Sequence, residues 1–466
     1  MSRPSPRASI HSHRIPRPAD WRRVLVVAGT ALGLVAATTV GVAFAMSSGG
    51  DSGAGGGEPA ARGSESASPS PSESPEASPE PTEAPTTAAE ADDGLCNRTA
   101  TGAPEVTLTE VDANVIGNGS EGDTEPLPAA IAATPSGTSW LAWDGTDERI
   151  HLARLDCDDA IEGDPIDFEG VDLQDVIADA EGVTVLVTRE GDCGPGDLCG
   201  GESSPCRTTH MIRFDNAGEQ QWNRQVTNLG DGLAGYDDGA RFTWWYQHHG
   251  RLASDGERTA AYFGVAITVA NGGCVDIHQG DRMQVVDVDG NLADHPDAFA
   301  VGCSHSWTTR IAWNPDRDEF GMVCATDNAC RIAVPAYTTV AEGTCDGTLF
   351  GGDLVASGDG YWTAWSQGGE ARLEHFTDGP SDTTVDTGAQ TSHPHLVAYA
   401  DGLLLAWESG GALTAQAYDT TGEPLGDRFD IDVPDHDYQA FKPYPDASAA
   451  YPAATGDTIT IARVLP

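Results

Sequence analysis

A short apolar step recurs seven times in residues 94–466 and constrains the fold more than any other feature of the chain. Each copy is an aliphatic residue and an alanine, then a short turn that usually holds glycine, then an apolar, β-prone segment. The seven steps are Ile131-Ala132, Ile177-Ala178, Leu252-Ala253, Ile311-Ala312, Val355-Ala356, Val397-Ala398 and Ala449-Ala450. Successive copies lie 42 to 75 residues apart with no amphipathic helix between them, which is enough chain for about four strands each.

The repeat predicts an all-β domain, a seven-bladed β-propeller, with a pair of β-sandwiches or an eight-bladed ring as the alternatives. Tight turns such as Asp255-Gly256 and Asp401-Gly402 suit hairpins between the paired strands. The seventh copy supplies two strands before Pro466, whereas the segment from Val106 to Val111 has no partner at the start of the domain. We expect this segment to close the ring by completing the last blade.

One stretch carries a resemblance to known proteins. Residues 393–426, HPHLVAYADGLLLAWESGGALTAQAYDTTGEPLG, resemble the blade repeats of secreted and cell-surface bacterial β-propeller proteins. The resemblance covers one to two blades well and the rest of the domain loosely. It implies the propeller architecture and no particular activity.

The N-terminal part of the chain predicts export. Residues 1–23 hold six arginines, and residues 24–46 are an uncharged run of 23 residues, long enough to cross a hydrocarbon layer of about 30 Å. We interpret residues 1–23 as a basic cytoplasmic segment and residues 24–46 as a single transmembrane anchor or a signal peptide. Ala43-Phe44-Ala45 matches the small-x-small pattern of a cleavage site, so secretion after cleavage near Ala45 is the alternative to anchoring in the cell membrane.

The composition after the hydrophobic run separates a linker from a folded domain. Residues 47–93 are rich in Gly, Ser, Pro, Glu, Ala and Thr, which predicts a disordered linker without a core. Residues 94–466 form the predicted extracytoplasmic propeller, with eighteen Lys and Arg against sixty-one Asp and Glu, a net formal charge of −43. Such a charge repels phosphate backbones and anionic lipid. We therefore expect no nucleic-acid partner, membrane contact through the N-terminal helix only, and a monomer.

Cysteine placement fits the same compartment. All ten cysteines lie between Cys96 and Cys345, in the part predicted to be outside the cytoplasm, where an even number of cysteines indicates disulfides. None of them shows the two-residue spacing of a zinc knuckle. The sequence leaves the connectivity open.

The propeller topology predicts which face binds a ligand. The loop entering the first strand of each blade and the loop joining its second and third strands open on one face, named here the entry face, and it receives the longest insertions, including residues 227–249 and 432–446. Of eleven histidines in the domain, six fall in these loops and His395 lies at a strand edge. The six are His248, His249, His278, His305, His393 and His436.

Candidate binding residues come from the same loops. Trp244, Trp245, Tyr246 and Trp307 offer a stacking platform for sugar rings. His248, His249, His278 and His305 are candidate ligands of a divalent metal ion, because neutral imidazole suits Zn²⁺ or Mn²⁺ and also serves as a general acid or base. Asp287-x-Asp289-Gly290-Asn291 is similar to a calcium loop, but His295 takes the place of a required acid, so a plain hairpin is favoured.

No motif in the chain fixes a reaction. The single lysine, Lys442, follows Phe441 and so excludes a Walker-type phosphate loop, and no His-Glu-x-x-His or Gly-x-Ser-x-Gly motif is present. The leading hypothesis is a membrane-tethered binding protein that recognises a cell-wall or extracellular glycan. The alternatives are a metal-dependent lyase or hydrolase that uses the histidine cluster, and a protein-interaction scaffold with a protein ligand.

Overall fold

The structure is a computed structural model, and it describes the domain in several stretches. These are residues 96, 98, 100, 104–116, 127–191, 206–227, 241–242, 250–271, 274–293, 306–326, 330–335 and 338–466. For residues 191, 206–207, 241–242, 265–271, 274–280 and 306–308 it describes the backbone alone. The basic segment, the apolar run 24–46 and the linker lie outside these residues. No helix in the described stretches is long and apolar enough to cross a membrane.

Seven antiparallel sheets of four strands each make up the described part of the chain. Blade 1 comprises β2 (Ala129–Ala133), β3 (Ser139–Asp144), β4 (Ile150–Leu155) and β5 (Ile161–Phe168). Blade 2 comprises β6 (Asp172–Ala178), β7 (Gly182–Gly191), β8 (Cys206–Asp215) and β9 (Gln220–Gln225). Blade 3 comprises β10 (Arg241–Phe242), β11 (Arg251–Ser254), β12 (Arg258–Asn271) and β13 (Cys274–Asp287). Blade 4 comprises β14 (Ser306–Asn314), β15 (Glu319–Thr326), β16 (Arg331–Val334) and β17 (Thr338–Glu342).

The last three blades complete the ring. Blade 5 comprises β18 (Leu349–Ser357), β19 (Gly360–Gln367), β20 (Glu370–Phe376) and β21 (Thr383–Gln390). Blade 6 comprises β22 (His395–Tyr399), β23 (Gly402–Ser409), β24 (Ala412–Tyr418) and β25 (Pro424–Ile431). Blade 7 comprises β26 (Lys442–Pro443), β27 (Ala449–Thr455) and β28 (Thr458–Leu465), with β1 (Glu105–Asp112) as its outer strand.

The inner strands β2, β6, β11, β14, β18, β22 and β26 contact one another in that order, and β26 returns to β2. The described residues therefore form a seven-bladed β-propeller, which confirms the predicted fold over the sandwich and eight-bladed alternatives.

Apolar side chains on both faces of each blade explain the stacking. Seven hydrophobic clusters fill the seven junctions between neighbouring blades. Trp140 lies in the cluster between blades 1 and 2, and Trp362 lies in the cluster between blades 5 and 6; each is 1% exposed. Complete burial of a large apolar side chain stabilises a fold by about 1.5–3 kcal/mol. The apolar second strands of the repeat therefore contribute large side chains to the junctions that hold neighbouring blades together.

The predicted ring closure is confirmed. β1 pairs antiparallel with β28, with Val106 opposite Val464 and Val111 opposite Ile459. The seventh copy supplies two strands as predicted, β27 and β28, but the prediction missed the strand β26, which precedes Ala449-Ala450 and pairs with β27. The inner strand β26 escaped detection because it has two residues, a lysine and a proline, and no apolar run.

Short turns cap the face opposite the entry face, named here the turn face. In four blades an aspartate at the turn that follows β4, β8, β13 or β24 accepts hydrogen bonds from the backbone N–H groups two and four residues later. These aspartates are Asp156, Asp215, Asp287 and Asp419. These bonds confirm the plain-hairpin interpretation of Asp287. At Gly422, φ is +84° and a Cβ atom would lie 2.8 Å from the Trp362 ring, so this turn requires glycine to pack against blade 5.

Disulfides are present in the described residues, as predicted. Cys96 bonds Cys157 and Cys330 bonds Cys345, and Cys324 is also disulfide-bonded. The side chains of the other five cysteines lie outside the described residues. The second bond links the loop after β15 to the loop entering β18, so it joins blades 4 and 5 on the entry face.

Candidate functional site

Most of the residues predicted to bind a ligand lie outside the described residues. For Trp307 in β14 and His278 in β13 the structure gives the backbone position alone, and His278 is opposite Ile267. The residues outside are Trp244, Trp245, Tyr246, His248, His249 and His305. Their roles as sugar platform and metal ligands remain predictions.

The backbone of blade 3 shows that this blade is enlarged on the entry face. β12 and β13 have 14 residues each, whereas β11 pairs only with Thr259 to Tyr262. Residues 265–271 and 274–280 continue the hairpin beyond the blade, and β10 pairs with its β12 side at Ala266 and Ile267. Seven residues of strand extend about 23 Å. We name β10 together with residues 265–271 and 274–280 the blade-3 extension.

Charged side chains from the inner strands meet at the propeller axis and form what we name the axial cluster. Its members are Asp175, Arg251, Arg310, Asp353, His395 and Lys442, from six different blades. Lys442 Nζ lies 2.6 Å from Asp175 Oδ1, a contact between blades 7 and 2, which are not neighbours. The axial cluster therefore fills the centre of the ring with paired charges.

Asp353 is the hub of the axial cluster. Its Oδ1 accepts a hydrogen bond from Arg310 Nε at 3.0 Å and lies 3.9 Å from Arg251 Nε. Its Oδ2 accepts the backbone N–H of Leu396 at 3.3 Å and lies 3.9 Å from His395 Nδ1. The side chains of Arg251, Arg310 and His395 are at most 5% exposed, so these charges depend on one another rather than on water.

A loop entering β26, residues 432–441, lies across the axial cluster on the entry face, and we name it the strap. Two histidines of blade 6 hold two of its aspartates: His395 Nε2 lies 2.7 Å from Asp435 Oδ1 and His393 Nδ1 lies 3.0 Å from Asp437 Oδ1. On the far side, Arg251 of blade 3 donates to the backbone carbonyl of Tyr438, whose ring joins the apolar cluster of blades 1 and 2. The strap thus connects opposite sides of the ring.

Burial and charge set the protonation of this region. Burial lowers the pKa of His395, but the carboxylates of Asp435, Asp353 and Asp437 outweigh burial and the net shift is upward. Burial raises the pKa of Asp435, and His395 together with hydrogen bonds reverses that effect, so its net shift is downward. Burial lowers the pKa of His436 to about 4. His395 and Asp435 consequently form an ion pair beside a neutral His436.

The attraction between His395 and Asp435 should depend on pH. Because the folded pKa of His395 is raised, its stabilising effect is complete below about 6.5, the pKa of an ordinary histidine, and is lost as pH rises through the raised value. The lowered pKa of Asp435 preserves the effect down to below about 3.8. In a double-mutant cycle of His395→Gln and Asp435→Asn, measured by urea unfolding, we expect coupling at pH 5.5 that declines toward pH 9. Coupling that is constant or grows with pH would contradict this assignment.

The described residues hold no group of three His, Cys, Asp or Glu side chains arranged to bind a metal ion. The proposed metal ligands of blades 3 and 4 are not part of that set. A separate groove of about 710 Å³ lies between blades 7 and 1 on the entry face. It is lined by Asp112, Ala113, Asn114, Val115, Thr146, Gly456 and Asp457.

Sequence reasoning located part of this site and missed the rest. It placed His393 and His436 in entry-face loops and His395 at a strand edge, and the structure confirms these positions. It did not select them, and it missed Arg310 and Asp353. A signal was available, because a charged residue in the middle of an inner strand, as in SWTTRIAWN and LFGGDLVAS, points toward an axis rather than into an apolar blade junction.

The chain matches no protein-family model and no curated protein. Among solved structures, one titled "Crystal Structure of Mitotic Checkpoint Complex" is similar to it, with 12% sequence identity and a TM-score of 0.41. The similarity covers 83% of this chain and 97% of that chain. A likeness this distant carries no argument about function.

Proposed function

We propose that the protein is a membrane-tethered, extracytoplasmic binding protein whose propeller recognises a cell-wall or extracellular glycan with its entry face. The observation that carries the proposal is the difference between the two faces. On the turn face, four blades end in short turns capped by their own aspartates, whereas the entry face bears the strap and the blade-3 extension. Binding sites are usually built from such additions to a rigid scaffold.

The position of Cys96, the first described residue, supports display of the entry face. Cys96 is bonded to Cys157 in the turn between β4 and β5, and its N–H donates to the carbonyl of Ser136 in the turn between β2 and β3. Both turns lie on the turn face. The chain therefore enters the described domain at the turn face, which supports display of the opposite, entry face.

The axial cluster and the strap at the centre of the ring support a ligand position on the surface of the entry face. The axial cluster and the strap occupy the centre of the ring with paired, buried side chains. The blade-3 extension is then the largest addition available, and β10 directly precedes the segment with Trp244, Trp245 and Tyr246. Stacking of sugar rings on such aromatic residues is not opposed by the acidic charge of the domain.

The test is binding of the full chain in detergent to an array of neutral and acidic oligosaccharides. We expect neutral oligosaccharides to bind, and Trp245→Ala to weaken binding about 10-fold, which corresponds to about 1.4 kcal/mol. Thr420→Ala, on the turn face of blade 6, is the control and should bind as the wild type does. Loss of binding in Thr420→Ala together with unchanged binding in Trp245→Ala would contradict the proposal, because the site would then lie on the turn face.

A further inference from the structure

Three partly exposed side chains that could contact a ligand lie close together near the propeller axis on the entry face. Phe350 is the second residue of β18, His393 lies two residues before β22, and Asp437 belongs to the strap. The Phe350 and His393 ring centroids are 4.6 Å apart, and His393 Nδ1 lies 3.0 Å from Asp437 Oδ1. The side chains of His393 and Asp437 are 15% and 24% exposed, whereas those of His395 and Asp435 are 2% and 7% exposed.

The pairing of His393 with Asp437 leaves two polar atoms for a ligand. His393 Nδ1 and Asp437 Oδ1 lie within ion-pair distance, and a carboxylate beside Nδ1 favours the tautomer that carries the proton there. Nε2 of His393 and Oδ2 of Asp437 have no hydrogen-bond partner among the described residues. Nε2 accepts a hydrogen bond when the imidazole is neutral and donates one when it is protonated.

A hydroxyl group matches this arrangement better than an ion does. A hydroxyl both donates and accepts, so it pairs with Nε2 in either protonation state and can also donate to Oδ2. An ammonium group cannot accept from the protonated ring, and an anion meets the net charge of −43 on the domain. Phe350 adds an apolar ring beside these polar atoms, as the C–H face of a sugar requires.

We propose that Phe350, His393 and Asp437 form a subsite for a neutral sugar ring, which packs on Phe350 and hydrogen-bonds through adjacent hydroxyls to His393 and Asp437. The subsite rests on the proposed function, and it adds a second contact region to that of the blade-3 extension. Both regions lie on the entry face. The strap therefore contacts the axial cluster through Asp435 and contributes Asp437 to the proposed subsite.

The experiment compares the two aspartates of the strap in the full chain. The probes are fluorescent maltoheptaose, cellohexaose and chitohexaose, and binding is measured by fluorescence polarisation at pH 5.5 and pH 8. We expect Phe350→Ala and Asp437→Asn each to raise the Kd for the bound probe about 10-fold. Asp435→Asn removes the charge of the buried pair and retains an oxygen for the His436 N–H and Tyr451 O–H groups, so it should lower the melting temperature and leave the Kd unchanged. Wild-type affinity should change less than 3-fold between the two pH values.

Each of the other outcomes contradicts the subsite, the proposed function or the class of ligand. If a probe binds the wild type and all variants equally, the subsite is wrong and the proposed function stands. If no probe binds the wild type, both are wrong. If a hexalysine peptide binds in place of the sugars and Asp437→Asn abolishes its binding, the subsite takes a cation. If Phe350→Ala fails to fold, Phe350→Leu keeps an apolar side chain without the ring and should weaken binding similarly.

Discussion

Deletion of residues 104–112 is expected to abolish cooperative unfolding of the domain. The deletion removes β1, so β28 loses a strand partner along its whole length, from Thr458 to Leu465. It also removes Val106 and Val111 from the clusters at the two junctions of blade 7. Because blade 7 combines strands from both ends of the domain, damage there frees both neighbouring blades.

Circular dichroism during heating provides the measurement. The wild type should melt in one sharp transition, and the deletion variant should melt broadly or show no transition. Deletion of residues 70–78, nine residues of the predicted linker, is the matched control and should leave the melt unchanged. A sharp, unshifted transition in the variant without β1 would show that closure does not depend on that strand.

Substitution of Asp353 is expected to destabilise the fold by about 3–5 kcal/mol, the usual consequence of removing one partner from a buried ion pair. Asp353→Asn retains the shape of the side chain and removes its charge. The guanidinium groups of Arg251 and Arg310 then remain buried with less compensation, and burial together with Arg251 already lowers the pKa of Arg310 to about 10. This free energy is a large fraction of the total stability of an ordinary domain.

Urea unfolding gives the free energy directly. Asp386→Asn is the matched control, because Asp386 also pairs with an arginine, Arg372, at 3.3 Å, but its side chain is 86% exposed. We expect no measurable change in that variant, since water screens exposed ion pairs. Equal effects of the two substitutions would mean that the axial cluster contributes no more than a surface pair.

The sequence predicted the architecture because propeller blades repeat. Apolar second strands such as those around Trp140 and Trp362 recur at each copy, and their burial between blades is a local property that the residue pattern records. Ring closure was also predictable, since the segment from Val106 to Val111 had strand character and no local partner. The fold therefore followed from patterns that span no more than one or two blades.

The axial cluster could not be predicted in the same way. Lys442 and Asp175 are paired although 267 positions separate them in the chain, and no local pattern links them. The strand β26 could not be predicted, because two residues are too few to show a periodic pattern of apolar side chains. The pairing of His393 and His395 with Asp437 and Asp435 follows only once blade 6 and the strap are known to be neighbours at the axis. Sites of this kind depend on the closed ring.

The disulfide between Cys96 and Cys157 also determines how the domain bears mechanical load. Asp159, two residues beyond Cys157, is fully buried and pairs with Arg98 and Arg463. A force applied to the chain ahead of Cys96 therefore passes through a covalent bond into blade 1 before it reaches β1. The hydrogen bonds between β1 and β28 are shielded from that force. A pulling force on the N-terminal side of Cys96 therefore does not act directly on β1, the strand that closes the ring.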